Sequence, residues 1–284
     1  MFTEKDFEVT LLNPEEVKQF IKKHGEFACV CYNTPVERAE GTGLHCLKSG
    51  HLSGSRHLYF VFKLKNIPRF TVDQLVRHEA GVVKNVQSLR YVTKDNFSVY
   101  MPPEIEEDLM AKWEHSRAED YLQITYNKTV RDLAPKVGKE RANEIARTFL
   151  PIGIATECSF ACNLEGLINL ANKRLCKRAE RPIHVLVKMM VNEVIAVEPR
   201  YKDFLVPQCK KLGYCPEMKG CGMYEQKSDR ELIADLTDRT KLFCDSYYDP
   251  ATWGCNNCPL IHFTEFTDCR IAYIHYLLEG DKNE

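Results

Sequence analysis

Apolar residues recur at two different spacings along the chain, and each spacing predicts a different element. Residues 57–67 (HLYFVFKLKNI) come close to alternating bulky apolar and polar side chains, which predicts a strand, and residues 69–79 predict a short helix after it. A short helix also starts at Asn13-Pro14, and the apolar run FACVCY that follows it predicts another strand. The Gly- and Ser-rich residues 41–56 predict a loop.

From about residue 104 the apolar spacing becomes helical. Four helices are predicted, over residues 104–133, 139–150, 162–178 and 181–197, and Pro182 separates the last two. Around residues 199–223 the chain becomes rich in Pro, Cys and Gly, and a charged helix is predicted at residues 228–244. No repeat of 20–50 residues occurs, so a solenoid is not expected.

The charge balance limits the partners that the chain can have. Lys and Arg number 39 against 40 Asp and Glu among 284 residues, which gives a formal net charge of −1. A general nucleic-acid binder or an anionic-membrane binder would carry a basic excess, so both are disfavoured, although a local basic pocket is not. No apolar run of about 18 residues occurs, and the N-terminus lacks an apolar signal core, so we expect no membrane span and a cytoplasmic location.

Thirteen cysteines need an explanation. Their number is odd and the chain is not small, so a disulfide scaffold is not expected, and reduced thiols or a metal site fit better. Cys255 and Cys258 form one CxxC pair, and Cys244 and Cys269 are the residues that would complete a zinc site with it. The alternative is a set of buried thiols, and we expect no metal in the main site.

Several residue types that bind anions lie close together in the segment 77–91, which follows a predicted strand and helix. It contains Arg77, His78, Ser88, Arg90 and Tyr91. Arginine suits phosphate because its planar fork donates two hydrogen bonds at once. On residue types alone this is only a hypothesis of an anion site, because most single arginines are solvated surface residues.

A series of motifs in the right order turns that hypothesis into a resemblance. The chain resembles the flavin-dependent thymidylate synthases over roughly residues 5–223, and the matching segments are HLSGSRH (51–57), QLVRHE (74–79), SLRY (88–91), ARTFLP (146–151), CNLEGLINLANKR (162–174) and LVPQCKKLGYCPEMKGCG (205–222). The resemblance implies an α+β fold with a mixed sheet and long helices, in a homotetramer whose active sites lie between subunits. We therefore divide the chain into a catalytic domain, 1–223, and a Cys-rich extension of unknown role, 224–284.

The resemblance also implies the chemistry and the site residues. It implies methylation of dUMP at C5, with FAD, NADPH and 5,10-methylenetetrahydrofolate. Arg174 is expected to stabilise negative charge on the uracil ring, and Ser88 to donate a hydrogen bond rather than act as a nucleophile. The matching dUMP positions are Gln74, Ser88, Arg90, Arg147 and Arg174. The matching FAD positions are His51, Ser53, Arg77, His78, Glu79, Asn163 and Asn169.

Four residues depart from the family pattern, and they leave alternatives open. Glu79 and Glu165 stand where the family has Arg, Arg56 stands where it has Glu, and Val86 replaces a residue that is usually polar. Two carboxylates near a bound pyrophosphate repel it, and one hypothesis is that Arg56 compensates by pairing with Glu79. The alternatives are a related pyrimidine-nucleotide hydroxymethylase and a non-catalytic nucleotide-binding protein with the same fold.

Overall fold

The computed structural model describes residues 1–245, 248–249, 254–255 and 273–274. The chain divides into two compact units, and the first, Met1–Leu212, consists of four strands and the helices packed against them. The strands of this unit are β1 (Glu8–Leu11), β2 (Tyr59–Pro68), β3 (Val82–Val86) and β4 (Ala155–Asn163). Its helices are α1 (Pro14–Val17), α2 (Phe20–Tyr32), α3 (Ala39–Lys48), α4 (Arg69–Leu75), α5 (Pro103–Glu107), α6 (Leu109–Val137), α7 (Lys139–Ala146), α8 (Leu164–Arg174), α9 (Arg181–Val197) and α10 (Gln208–Leu212).

The strand order is β1-β2-β4-β3, and each neighbouring pair is antiparallel. The prediction of a mixed sheet is therefore wrong for these strands, although the α+β class is compatible with them. The reason is the position of β4, which follows β3 in sequence but lies between β2 and β3 in the sheet. The β2-α4-β3 connection leaves β2 and β3 running in the same direction, as a crossover does, but β4 lies between them and pairs antiparallel with both.

Alternation places one face of the sheet in the main core. Phe60, Phe62 and Leu64 of β2 are fully buried, and this confirms the strand predicted from residues 57–67. Strand β4 has the same alternation around Phe160, but no strand was predicted from the sequence for residues 155–163. Helix α9 covers the core with apolar residues at helical spacing, which are Ile183, Leu186, Val187, Met190, Val191 and Val194.

Helices α2 and α3 replace two elements that the sequence predicted differently. Residues 27–32 form the end of α2 rather than a strand, and residues 41–48 belong to α3 rather than to a loop. Close packing explains both differences, since a Cβ on Gly25 would lie 1.6 Å from the Ala39 carbonyl oxygen, and one on Gly43 would lie 2.0 Å from that of Ile21. The glycines here permit two helix backbones to touch and do not mark a turn.

A smaller core lies between α6, α7 and the segment before β4. Phe97, Val99, Tyr126, Ala146 and Ile154 form it. The predicted long helix is confirmed as the 29-residue α6, which begins where the Asp108 carboxylate accepts hydrogen bonds from the Met110 and Ala111 amides.

The second compact unit is Gly213–Glu284. Its described elements are α11 (Asp229–Asp245), β5 (Tyr248–Asp249) and β6 (Gly254–Cys255), and α11 confirms the charged helix predicted at residues 228–244. Residues 213–223, which the sequence assigned to the catalytic domain, lie in this second unit. Within it, the Cys215 amide donates to the Glu225 carbonyl at 2.7 Å. Among the described residues, none of the helices is both long and apolar enough to cross a bilayer.

Candidate functional site

The end of α4 and the last turn of α8 bring His78 and Arg174 into contact. Arg174 Nε donates to His78 Nε2 at 3.0 Å, and the His78 amide donates to the Leu75 carbonyl at the end of α4. Because His78 Nε2 accepts this bond, its proton is assigned to Nδ1 and the ring is neutral. The bond occupies Nε of Arg174 and fixes the plane of its guanidinium group.

Cations surround this contact. Burial, as the largest cause, and the positive charges of Arg174, Lys173 and Lys84 together lower the pKa of His78 to about 4. Burial and the neighbouring Arg77 lower the pKa of Arg174, against an opposing effect of Glu180. We call Arg77, His78, Lys84, Lys173 and Arg174 the Arg174 cluster. Its residues suit a ligand with phosphate groups, because a bound anion would neutralise their mutual repulsion.

Gln74 lies on α4, one turn before His78. Its side-chain amide donates to the carboxylate of Glu180, the residue that precedes α9. Glu180 also opposes the lowering of the pKa of Arg174, so it lies within electrostatic range of the Arg174 cluster. In this structure Gln74 therefore connects α4 to α9, while its place in the dUMP site stays a prediction.

Ser88, Arg90 and Arg147 lie in a second group, which follows β3 and contacts α7. The guanidinium group of Arg90 donates to Glu140, and the Arg90 carbonyl accepts from Asn143 Nδ2 at 3.2 Å. Ser88 Oγ accepts from the Arg90 amide at 3.3 Å. Arg147 is exposed at the end of α7, and the pKa of Glu144 is lowered by Arg141 first and then by Arg90 and Arg147. We call Ser88, Arg90, Glu140, Glu144 and Arg147 the Arg90 cluster.

The two clusters are built on different elements of one chain. The described contacts of Arg90 are with residues 88–91 and with α7, whereas those of Arg174 are with α4, its following turn and α9. The structure thus joins Ser88 with Arg90, and His78 with Arg174. It places the remaining predicted arginine, Arg147, near Arg90 through their shared neighbour Glu144.

His51 and Ser53 line a cavity of about 380 Å³ beside α2 and α3. His24, which was not among the residues predicted for the site, also lines this cavity. His24 is 2% exposed, and neither ring nitrogen forms a hydrogen bond with a described residue. Burial lowers its pKa, against an opposing effect of the His51 backbone. The sequence signal for His24 is only a histidine on the apolar face of a predicted helix, and such a histidine is more often a core residue than a ligand.

Arg56 forms an ion pair, but not with the residue predicted for it. Its Nε donates to Glu165 Oε2 at 2.7 Å, and its NH2 group lies 3.4 Å from Glu165 Oε1. The Arg56–Glu79 pairing hypothesis is therefore replaced by an Arg56–Glu165 pair, while Glu79 is exposed. By the resemblance, Glu is expected at position 56 and Arg at position 165, so each member of this pair has the charge opposite to the expected one.

Asn163 connects β4 to α8. It is 5% exposed, and its Oδ1 accepts from the Gly166 amide at 2.9 Å as the N-cap of α8. Gly81, at φ +67°, lies so close that a Cβ there would be 2.3 Å from Asn163 Oδ1. Asn169 is exposed on α8. Asn163 thus precedes the helix that ends at Arg174, and its side chain caps that helix, while its place in the flavin site stays a prediction.

Cysteine positions do not form a metal site in the part of the chain that is described. No group of three or more His, Cys, Asp or Glu side chains is placed there to hold a metal ion. Cys46, Cys158 and Cys162 are buried thiols without a disulfide, and burial raises their pKa. Of the suggested zinc ligands, Cys258 and Cys269 lie outside the described residues.

The comparisons with known proteins all indicate the same family. A profile of the family described as "Thymidylate synthase complementing protein" matches residues 18–200. A protein of Nitratidesulfovibrio vulgaris named flavin-dependent thymidylate synthase is 32% identical over 184 residues, which are 63% of this chain and 74% of the relative. Proteins with the same name from Clostridium tetani and Pyrococcus furiosus are 32% and 30% identical over 61% and 59% of this chain, and 73% and 69% of their own. The matched region contains both arginine clusters, and the chain belongs to the family of thymidylate synthase complementing proteins.

Proposed function

We propose that this protein is a flavin-dependent thymidylate synthase, which methylates dUMP at C5 to give dTMP. The proposal includes FAD as cofactor, NADPH as reductant and 5,10-methylenetetrahydrofolate as the source of the methylene group. The observation that carries it is the Arg174 cluster, in a chain of this family. Three cations, Lys84, Lys173 and Arg174, surround a neutral histidine there, and Arg77 adds a fourth positive charge beside Arg174. The bound flavin would supply reducing electrons, and the residues of the chain bind and orient the ligands.

Arg174 has the catalytic part in this proposal. His78 holds its Nε, and no described residue accepts a hydrogen bond from its terminal amino groups. Those groups can therefore contact the uracil carbonyl edge and stabilise the enolate-like negative charge that the ring carries when its C5 becomes nucleophilic. Because burial reduces the screening of this charge by water, the interaction is stronger than it would be on the surface.

Arg90, Arg147 and Ser88 bind the phosphate of dUMP in this proposal. Glu140 and Asn143 hold the side chain and backbone of Arg90, so the guanidinium group has a fixed position before the nucleotide binds. Gln74 contacts the nucleotide as well. FAD is bound by His51, Ser53, Arg77, His78, Glu79, Asn163 and Asn169, with Arg77 and the lysines of the Arg174 cluster near its phosphates.

A homotetramer with sites between subunits accounts for the two clusters. Each chain would contribute its Arg90 cluster to one site and its Arg174 cluster to another. A row of exposed apolar side chains on α6 supports assembly, since such a face is costly to leave in water. Its members are Leu109, Met110, Trp113, Tyr121 and Ile124, and Leu109 is 84% exposed.

Three measurements on one purified sample test the proposal. Visible flavin absorbance, with mass identification of the released group, tests FAD. Incubation with dUMP, methylenetetrahydrofolate and NADPH, followed by the mass of the nucleotide, tests the reaction, and we expect a gain of one carbon and two hydrogens. A further gain of one oxygen would instead indicate a hydroxymethylase. Absence of both flavin and product would indicate a binding protein. Light scattering tests the tetramer.

A further inference from the structure

A second cavity, of about 730 Å³, lies where α3, α8, α10 and the short 3-10 helix after α9 meet. It shares no lining residue with the Arg174 cluster or the Arg90 cluster. Its volume is within the range of about 300–1,000 Å³ that is typical of small-molecule sites. The family resemblance assigned none of its lining residues a role.

The floor of this cavity is apolar. Leu47 and Ile168 are buried residues of the main core, and Leu44, Leu52 and Phe204 are partly buried and pack against that core. An aromatic or hydrocarbon group is therefore favoured there, because its binding removes apolar surface of both the ligand and the cavity floor from water.

The rim of the cavity is cationic. Lys48, Lys202 and Lys211 are exposed, and none of them has a carboxylate partner among the described residues, whereas Asp203 is the single carboxylate in the lining. Arg200 differs from these lysines, since Glu198 and Glu40 both accept from it at 2.7–2.8 Å. Three ammonium groups on flexible stems suit several separate carboxylates on a flexible chain, whereas the planar guanidinium group of arginine is the better partner for a single phosphate.

The position of the cavity connects it to the predicted flavin site. Along the segment 50–53, Gly50 and Leu52 line this cavity, whereas His51 and Ser53 line the smaller cavity beside His24. A single stretch of chain therefore separates the two spaces. A ligand with its ring beside the flavin needs only to cross this stretch for its other end to meet the three lysines.

We infer that this cavity binds the aromatic amide and oligo-γ-glutamate tail of the folate co-substrate. The inference rests on the proposed function, because it assumes that a folate binds beside the flavin. The benzoyl group would lie on the apolar floor, and the glutamate carboxylates would meet Lys48, Lys202 and Lys211. The site thus makes the protein selective for folates with long polyglutamate chains.

Binding of a non-reacting folate tests the inference without requiring turnover. The affinities of 5-formyltetrahydrofolate with one and with five glutamates are compared by calorimetry on the flavin-loaded full chain. We expect the pentaglutamate to bind about tenfold more tightly at low salt, because four added carboxylates each gain a small exposed ion-pair contribution. The Lys48→Gln/Lys202→Gln double variant is expected to remove most of this preference, and to weaken pentaglutamate binding more than monoglutamate binding. The matched control is Lys128→Gln/Lys136→Gln, which removes two exposed lysines from α6.

The outcomes separate this inference from the proposed function. If dTMP forms but both folates bind equally, the inference is wrong and the function stands. If the double variant instead weakens NADP⁺ binding, with no change in the glutamate preference, the cavity belongs to the reductant and the inference is wrong. If no dTMP forms, the proposed function fails, and a preference for pentaglutamate that the double variant largely removes still supports the site.

Discussion

The Arg174 cluster and the Arg90 cluster hold their arginines in opposite ways. Arg174 is partly buried, donates to a neutral histidine and has mainly cations near it. Arg90 instead donates to Glu140, and Glu144 lies within electrostatic range of both Arg90 and Arg147. The first cluster has an excess of positive charge that an anion would neutralise, whereas carboxylates already compensate the second.

Because of this difference, substitutions in the two clusters are expected to affect different steps of the reaction. A ligand at the Arg174 cluster meets a partly buried arginine whose Nε is held by His78, so a change there is expected to affect the chemical step. A ligand at the Arg90 cluster competes with Glu140 in a well-solvated place, so a change there is expected to affect binding. The predictions below test that division in order of expected effect.

Replacement of Arg174 has the largest expected effect. Arg174→Ala should lower kcat by about 10²–10³-fold, as loss of one fixed donor to a developing negative charge does. Steady-state kinetics with dUMP measures this, and Lys177→Ala, an exposed residue three positions further on, is the control. A rise in KM with unchanged kcat would contradict the catalytic part given to Arg174.

Replacement of Arg90 should change binding instead. Arg90→Ala should raise the KM for dUMP by about 10- to 100-fold with a smaller change in kcat, since a charge-assisted hydrogen bond contributes about 1.5–3 kcal/mol. Glu140→Gln is the informative companion, because it removes the partner of Arg90 but keeps the guanidinium group. We expect Glu140→Gln to change KM only a few-fold. Equal losses of kcat in Arg90→Ala and Arg174→Ala would remove the distinction between the clusters.

His78 should make stability depend on pH. Its pKa is about 4 in the folded chain and 6.5 ordinarily, so between these values the unfolded chain binds a proton that the folded chain does not. The free energy of unfolding should therefore fall as the pH decreases from about 6.5 to about 4. Relative to His78→Asn, the fall should be about 1–3 kcal/mol larger in the wild type.

Denaturant unfolding over that pH range measures the difference. His45→Asn, a variant of an exposed histidine on α3, is the control. Parallel pH profiles for the wild type and His78→Asn would show that His78 is not held neutral by its surroundings.

The reversed Arg56–Glu165 pair has the smallest expected effect. Its side chains are 62% and 34% exposed, so a coupling of only about 0.5–1 kcal/mol is expected. A double-mutant cycle with Arg56→Glu, Glu165→Arg and the combined variant measures it, through unfolding and through flavin affinity. The combined variant should recover most of what each single variant loses. If both single variants bind flavin as the wild type does, the pair has no part in cofactor binding.

The sequence by itself determined the elements in which local pattern and burial agree. The alternation of residues 57–67 predicted β2, and helical spacing of apolar residues predicted α6 and α9. A short helix and a charged helix were also predicted where α4 and α11 lie. The motifs also predicted the family, because several ordered segments depend on residue identity and spacing alone. They did not show that His78 accepts from Arg174, since those residues lie 96 positions apart.

Only the tertiary structure decided the remaining features. FACVCY is apolar enough for a strand, but its helix is stabilised by α3, which approaches closely because Gly25 and Gly43 have no side chains. The partner of Arg56 is Glu165 because the 3-10 helix Ser53–His57 packs near the start of α8, and spacing alone could not distinguish Glu165 from Glu79. Local propensity acts over a few residues, whereas packing and ion pairing depend on which distant segments the folded chain brings together.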